Sequence, residues 1–202
     1  MNINKPHILG ISGSLRRSSY SGAVLRGLQE IASDRAHIEI FPLDAVPLYN
    51  ADLDGDDKPT PVVALKSAIR DCDGLVLSSP EYNYGISGVL KNALDWASRP
   101  GYQSVLKDKP VLIMTSSPGM VGGVRAQGQL RQTLAATLSR VIAVPEVVIS
   151  QVNTKVQDGR LVDPASLKFM LEAFEVLLGE IPKPQASHQA HHHSRSKSAR
   201  RP

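Results

Sequence analysis

A disulfide framework is excluded at once, because the sequence holds a single cysteine, Cys72. That scarcity suits a reducing compartment. No apolar run approaches the length of a membrane span. The opening residues, MNINKPHILGIS, have neither the charged start nor the small-residue cleavage site of a secretory signal. The expectation is a cytoplasmic protein that does not enter membranes.

Several chemical motifs are missing as well. No G-x-x-x-x-G-K-[ST] is present, which removes a P-loop nucleotidase, and no G-x-G-x-x-G, which leaves a dinucleotide-type Rossmann site unsupported. Cys72 is not followed six residues later by arginine, so a phosphatase-type cysteine loop fails. The acidic stretch Asp52–Asp57 fails as a calcium loop, because its sixth position is Asp57 and its twelfth is Val63. Outside the C-terminal tail the only histidines are His7 and His37. No Ser–His–Asp set, metal cluster or acid/base pair is evident, so neither a catalytic side chain nor a metal site is expected.

Positive charge is short too, once its location is considered. The net charge is +4, but Arg195, Lys197, Arg200 and Arg201 lie in residues 187–202, which contain no acid. Removing those four from 23 basic residues leaves 19 against 19 acidic ones, a net of zero. The body has no bulk electrostatic reason to bind nucleic acid. The tail, 183–202, also carries His188 and His191–His193 and has few apolar residues, so it is expected to be disordered. Weak metal binding by HHH and polyanion binding by SRSKSARRP stand as alternatives to a neutral or expression-derived extension.

What is present is a body of one domain, residues 1–182, in which apolar runs alternate with helical patterns. Strands are predicted at His7–Ser12, Ile38–Leu43, Gly74–Ser79, Pro110–Ser116 and Glu146–Ser150. Helices are predicted at Ser21–Ala32, Val62–Arg70, Ser87–Ser98 and Arg125–Arg140. A last helix, capped by Asp163 with Pro164 at its first position, runs through Leu178. Strands this continuously apolar are buried on both faces, which implies a parallel sheet between two helix layers. Ligands of such folds bind beyond the carboxyl ends of the strands, where strand order reverses. The loops after the first, third and fourth strands therefore matter most.

The first, GISGSLRRSSYSG, has the composition of a phosphate cradle. Gly13 permits close backbone approach, Ser14, Ser18, Ser19 and Ser21 offer hydroxyls, and Arg16 offers a paired contact to phosphate oxygens. Arginine at the positive end of a helix is unfavourable unless an anion is present. With the other phosphate motifs missing, a mononucleotide is left, and the flavodoxin-like arrangement places FMN here. The second, SSPEYNYGISGVLKNALDW, combines a stiff exit at Pro80 with Tyr82 and Tyr84, material for a planar wall. Trp96, deep in the helix, reads as packing. In the third, TSSPGMVGGVRAQGQL, Gly122 and Gly123 suggest a mobile segment through which a second substrate enters. Cys72 is expected to be inert, and Lys91 with Asp95 a surface pair.

G-S-L-R-x-x-S at Gly13–Ser19, followed by P-E-Y-N-Y-G and G-x-L-K-N-A-L-D-W, resembles the NADPH-dependent FMN reductase family, in its branch of bacterial quinone and chromate reductases, over roughly residues 6–181. The resemblance implies a flavodoxin-like three-layer sandwich with a five-stranded parallel sheet of order 2-1-3-4-5. It assigns the FMN phosphate to Ser14, Arg16, Ser19 and Ser21, the last standing where the family commonly has Asn. It lays Pro80, Glu81, Tyr82 and Asn83 along the isoalloxazine ring, with Ser117 and Gly119 at its pyrimidine end. It implies FMN as cofactor and NADPH or NADH as co-substrate. Quinones, flavins, azo compounds or chromate-like acceptors would be reduced by a ping-pong mechanism. It further implies a homodimer or homotetramer, with Arg125 and Glu146 as contacts between subunits. A flavodoxin-type electron carrier and a non-catalytic flavin-binding module are the alternatives.

Overall fold

The computed structural model describes residues 5–182; the tail expected to be disordered lies outside the described residues. In chain order the strands are β1 His7–Ser12, β2 His37–Phe41, β3 Gly74–Ser79, β4 Glu81–Tyr82, β5 Gly85–Ile86, β6 Pro110–Ser116, β7 Arg140–Val141, β8 Val147–Ile149, β9 Val156–Gln157 and β10 Arg160–Leu161. The helices are α1 Tyr20–Ile31, α2 Thr60–Asp71, α3 Gly88–Ala97, α4 Val124–Ala136 and α5 Pro164–Gly179. The main sheet is parallel, in the order β2-β1-β3-β6, with β7 and β8 both against the outer side of β6. This is the flavodoxin-like order, with one difference at its edge. The fifth position is shared: β7 meets the start of β6 (Pro110 opposite Arg140) and β8 its end (Ser116 opposite Ile149). Pro145 lies between the two pieces and has no N–H to continue a ladder.

Strand alternation divides the core into two halves. Ile8, Val76, Leu112 and Met114 face α1 and α5, packing on Val24, Leu25, Leu28, Met170, Phe174 and Leu177. Leu9, Ile11, Leu75, Leu77 and Ile113 face the other layer, against Leu65 and Ile69 of α2, Leu90 and Leu94 of α3, and Leu130 and Leu134 of α4. A sheet covered on both sides in this way explains why its strands read as uninterrupted apolar runs.

Several boundaries differ from the sequence reading by one or more residues, and three of them have a local cause. β2 stops at Phe41, because Pro42 follows. α1 begins at Tyr20, one residue early, because Ser19 is its N-cap and accepts the Gly22 N–H at 3.1 Å. α4 ends at Ala136 rather than Arg140: Leu138 takes a left-handed conformation, φ 60°, and is exposed rather than inward-facing. Ser139 N–H then closes the helix on Leu134 O at 3.0 Å. The parallel sheet brings the loops after β1, β3 and β6 to one edge. His7, His37 and Cys72 lie at the opposite edge, where burial pushes the Cys72 thiol up from its ordinary value.

Candidate functional site

The first loop leaves β1 pressed against its neighbours. Gly13 N–H donates to Ser78 O at 2.8 Å, and a Cβ on Gly13 would stand 2.9 Å from Ser87 Oγ and 3.1 Å from Pro80 Cδ. Only glycine lets the backbone pass here. The loop then turns on itself: Ser19 N–H donates to Arg16 O at 2.9 Å, and the Arg16 guanidinium donates to Ser18 O at 2.9 Å while resting 5.4 Å from the Tyr20 ring centroid. The first turn of α1 contains no acidic residue. Its partial positive charge and the Arg16 guanidinium thus occupy one place, an arrangement stabilised by an anion. Ser21, in that first turn, is 1 % exposed, and its hydroxyl has no hydrogen-bond partner. An orphaned buried hydroxyl is costly unless a ligand or water completes it.

The second loop is a tight hairpin. β4 and β5 pair Glu81 with Ile86 and Tyr82 with Gly85. Between them Asn83 and Tyr84 have φ of 50° and 65°, the two left-handed residues of a type I′ turn. A tyrosine in that region carries strain of order 1–3 kcal/mol, of the kind that collects at ligand clamps. Tyr84 is 72 % exposed, with its ring 4.4 Å beneath the Arg125 guanidinium. Glu81 does something the sequence reading did not assign. One carboxylate oxygen accepts the main-chain N–H of Arg125 at 2.9 Å and the other pairs with the Arg125 guanidinium at 3.4 Å. Its carboxylate is held by α4. Arg125, a candidate contact between subunits, makes these contacts within its own chain while its side chain stays half exposed.

In the third loop Ser117 Oγ accepts the Gly119 N–H at 3.0 Å. Gly122 and Gly123 have φ of 62° and 87°, and a Cβ on Gly122 would collide with Val148 Cγ1 and stand 2.9 Å from Ser150 N. Both glycines have left-handed backbone; Gly122 packs against β8 and the residue after it, and Gly123 faces Thr115 of β6 and Glu81 of β4. Ser116, the last residue of β6, is 3 % exposed, and its hydroxyl too lacks a partner.

These loops enclose a cleft of about 170 Å³. Ser14, Arg16, Ser19, Ser21, Pro80, Glu81, Tyr82 and Ser117 line it together. Asn83 and Gly119 do not: Asn83 sits at the hairpin tip, and Gly119 lies two residues beyond Ser117. Tyr20, Ser116 and Pro118 line it without having been assigned. The signal for Ser116 was its place as the last polar residue of a buried strand. A larger cavity of about 500 Å³ lies between α3 and α4, lined in part by the Lys91–Asp95 ion pair. It is away from the strand ends, and none of the orphaned buried polar atoms among the described residues faces it. The smaller cleft carries the unmet hydrogen-bonding demand and is the better site.

The chemistry of the cleft is that of a binding site. It offers helix N–H groups, a guanidinium and hydroxyls at one end, and Pro80 with Tyr82 as an apolar wall. Among the described residues there is no cluster of metal-ligating side chains, and no helix is long and apolar enough to cross a membrane. Trp96, expected to pack, is fully buried and donates from Nε1 to Pro47 O at 2.8 Å.

Residues 6–154 match the family model described as NADPH-dependent FMN reductase. The chain is 40 % identical over 171 residues to an NAD(P)H-dependent FMN reductase of Pseudomonas aeruginosa, covering 84 % of this chain and 92 % of that one. It is 42 % identical over 167 residues to a quinone reductase of Escherichia coli, covering 81 % and 88 %. Among solved structures it is similar to FerB, a flavoenzyme NAD(P)H:(acceptor) oxidoreductase from Paracoccus denitrificans, with a TM-score of 0.76 at 28 % identity, covering 88 % of this chain and 100 % of that one.

Proposed function

The chain belongs to the NADPH-dependent FMN reductase family, and from that premise we propose how its cleft performs the reaction. The protein is an NAD(P)H-dependent FMN oxidoreductase that reduces quinones. When bound, FMN supplies the redox chemistry, carrying electrons from NAD(P)H to the acceptor. The protein's part is to hold and orient.

In this reading the first turn of α1 holds the phosphate, with Ser14, Arg16, Ser19 and Ser21 around it. Arg16, which donates to Ser18 O, could offer its guanidinium to a phosphate oxygen as the stronger charge-assisted partner. Pro80 and Tyr82 would supply an apolar wall for the ring, the hairpin through Asn83 would supply main-chain donors, and Ser116, Ser117 and Gly119 would hold its other end. Glu81 belongs to the site through its place in the hairpin. No side chain takes a covalent or proton-transfer role. One open face serves NAD(P)H and acceptor in turn, which gives ping-pong kinetics. Free flavins, azo compounds and chromate-like ions are the further acceptors we propose. The working form we propose is a cytoplasmic homodimer or homotetramer.

The observation that supports this best is the buried, partnerless hydroxyl of Ser21 in the same helix turn as the positive end of α1 and beside Arg16. The test follows NADPH at 340 nm in purified FMN-loaded protein, with and without a quinone. Expected is quinone-dependent oxidation whose double-reciprocal plots run parallel as both substrates are varied. Intersecting lines would remove the ping-pong order. No oxidation with any acceptor would favour an electron carrier or a non-catalytic flavin module.

A further inference from the structure

On the reading of the cleft as the FMN site, we propose that Glu81 and Gln129 are positioning residues that bolt both strands of the β4–β5 hairpin to one face of α4. The hairpin that lies along the ring is thereby set by the helix that follows the third loop.

The geometry is a two-point bracket. Glu81 opens the hairpin and Ile86 closes it, and the two are register partners. Glu81 accepts the Arg125 N–H at 2.9 Å, while Ile86 N–H donates to Gln129 Oε1 at 2.7 Å. Arg125 and Gln129 are four apart, hence on one face of α4 a turn from each other. Each contact answers a local need. α4 starts behind Gly123, φ 87°, with no side-chain cap of its own. The Glu81 carboxylate therefore serves as its N-terminal acceptor from another element, where negative charge is favoured. At the other point a Cβ on Gly85 would stand 2.6 Å from Gln129 Oε1, so glycine in P-E-Y-N-Y-G is what admits the Gln129 side chain.

The bracket has a task, because the hairpin cannot hold itself. Two residue pairs form a marginal ribbon in water, and its turn places Tyr84 where glycine is preferred. Arg125 adds a third hold by covering the Tyr84 ring at 4.4 Å. Gln129 does not line the cleft, so an effect of its removal on the cofactor must travel through the hairpin.

The experiment uses full-length protein stripped of cofactor, as wild type, Gln129→Ala, Glu81→Ala and Glu81→Gln. FMN is titrated into each, amide hydrogen exchange of the hairpin is measured in the same cofactor-free samples, and the flavin midpoint potential is measured in the loaded ones. Both alanine variants are expected to bind FMN about tenfold more weakly, the factor one lost hydrogen bond of this kind supports. They should also exchange the Ile86 or Arg125 amide faster and shift the potential. Glu81→Gln, whose amide oxygen still accepts the Arg125 N–H, should stay within about threefold of wild type. Wild-type affinity, exchange and potential in Gln129→Ala would overturn the proposal. So would a Glu81→Gln variant as weak as Glu81→Ala, which marks a carboxylate read directly by the ligand. If the wild type takes up no FMN, the reading of the cleft fails, while hydrogen exchange still decides whether the bracket holds the hairpin.

Discussion

Gly13 and Ser87 approach each other so closely that a Cβ on Gly13 would lie 2.9 Å from Ser87 Oγ. The contact joins the loop after β1 to the N-cap of α3, since Ser87 Oγ also accepts the Leu90 N–H at 3.2 Å. Gly13→Ala is expected to lower stability by about 1–3 kcal/mol through overpacking and to weaken FMN binding by displacing the cradle. Adding Ser87→Ala removes the facing hydroxyl. The double variant should therefore be more stable than the sum of the two single losses, a coupling that urea denaturation reads directly. Strict additivity would show that the contact is not the cause.

Asp163 accepts the Ser166 N–H at 2.9 Å as the N-cap of α5, and hydrogen bonding to the Ser166 hydroxyl first, and to its N–H second, holds its carboxyl below the ordinary value. A depressed folded-state pKa stabilises the protein above the unfolded value, and that contribution is lost as pH falls through the folded one. Asp163→Ala is expected to cost about 1 kcal/mol at pH 7. The gap between variant and wild type should close as pH falls below the ordinary carboxylate range, in chemical denaturation at stepped pH. A constant gap across that range would exclude the charged cap as its source.

Trp96 is buried away from the cleft, with Nε1–H on Pro47 O and an edge contact to the Tyr49 ring at 4.9 Å. Trp96→Phe removes one of the two hydrogen bonds to that carbonyl, Asn92 Nδ2 keeping the other at 2.8 Å, and is expected to lower the urea midpoint by the equivalent of about 0.5–1.5 kcal/mol, with an unchanged m-value. FMN affinity should stay within about twofold. A larger loss of affinity than of stability would place Trp96 in the binding machinery.

Much of this architecture is written in short-range pattern. β1, β3 and β6 match the predicted ranges to the residue, because strands buried on both faces read as nearly continuous apolar runs closed by small polar residues, Ser12, Ser79 and Ser116. The misreadings arise where distant parts of the chain decide. Leu138 sits in a helical pattern, but its left-handed φ ends α4 without a glycine to announce it. Pro145 divides an edge strand whose two pieces pair separately with β6. Glu81 lies in a ligand-binding motif, yet its carboxylate is claimed by a helix 44 residues away, a partner that no local spacing reveals. Gly122 looks the same in sequence whether or not its backbone is closely packed, and the packing comes from Val148 and Ser150, distant in the chain. Eight of the ten expected site residues share one cleft because parallel strands gather their loops at one edge, which the sequence pattern does predict.

The central claim is that Arg16 and the first turn of α1 grip the phosphate of FMN. It is tested most directly by titrating cofactor-free wild-type and Arg16→Ala proteins with FMN and with riboflavin, the same ring system without the phosphate. Wild type should bind FMN far more tightly than riboflavin, and Arg16→Ala should lose about ten- to a hundredfold in FMN affinity, the range of a hydrogen bond to a charged group. Riboflavin affinity should not change between the two proteins. Equal affinity of wild type for both flavins, or an Arg16→Ala variant that holds FMN as tightly as wild type, would contradict the account.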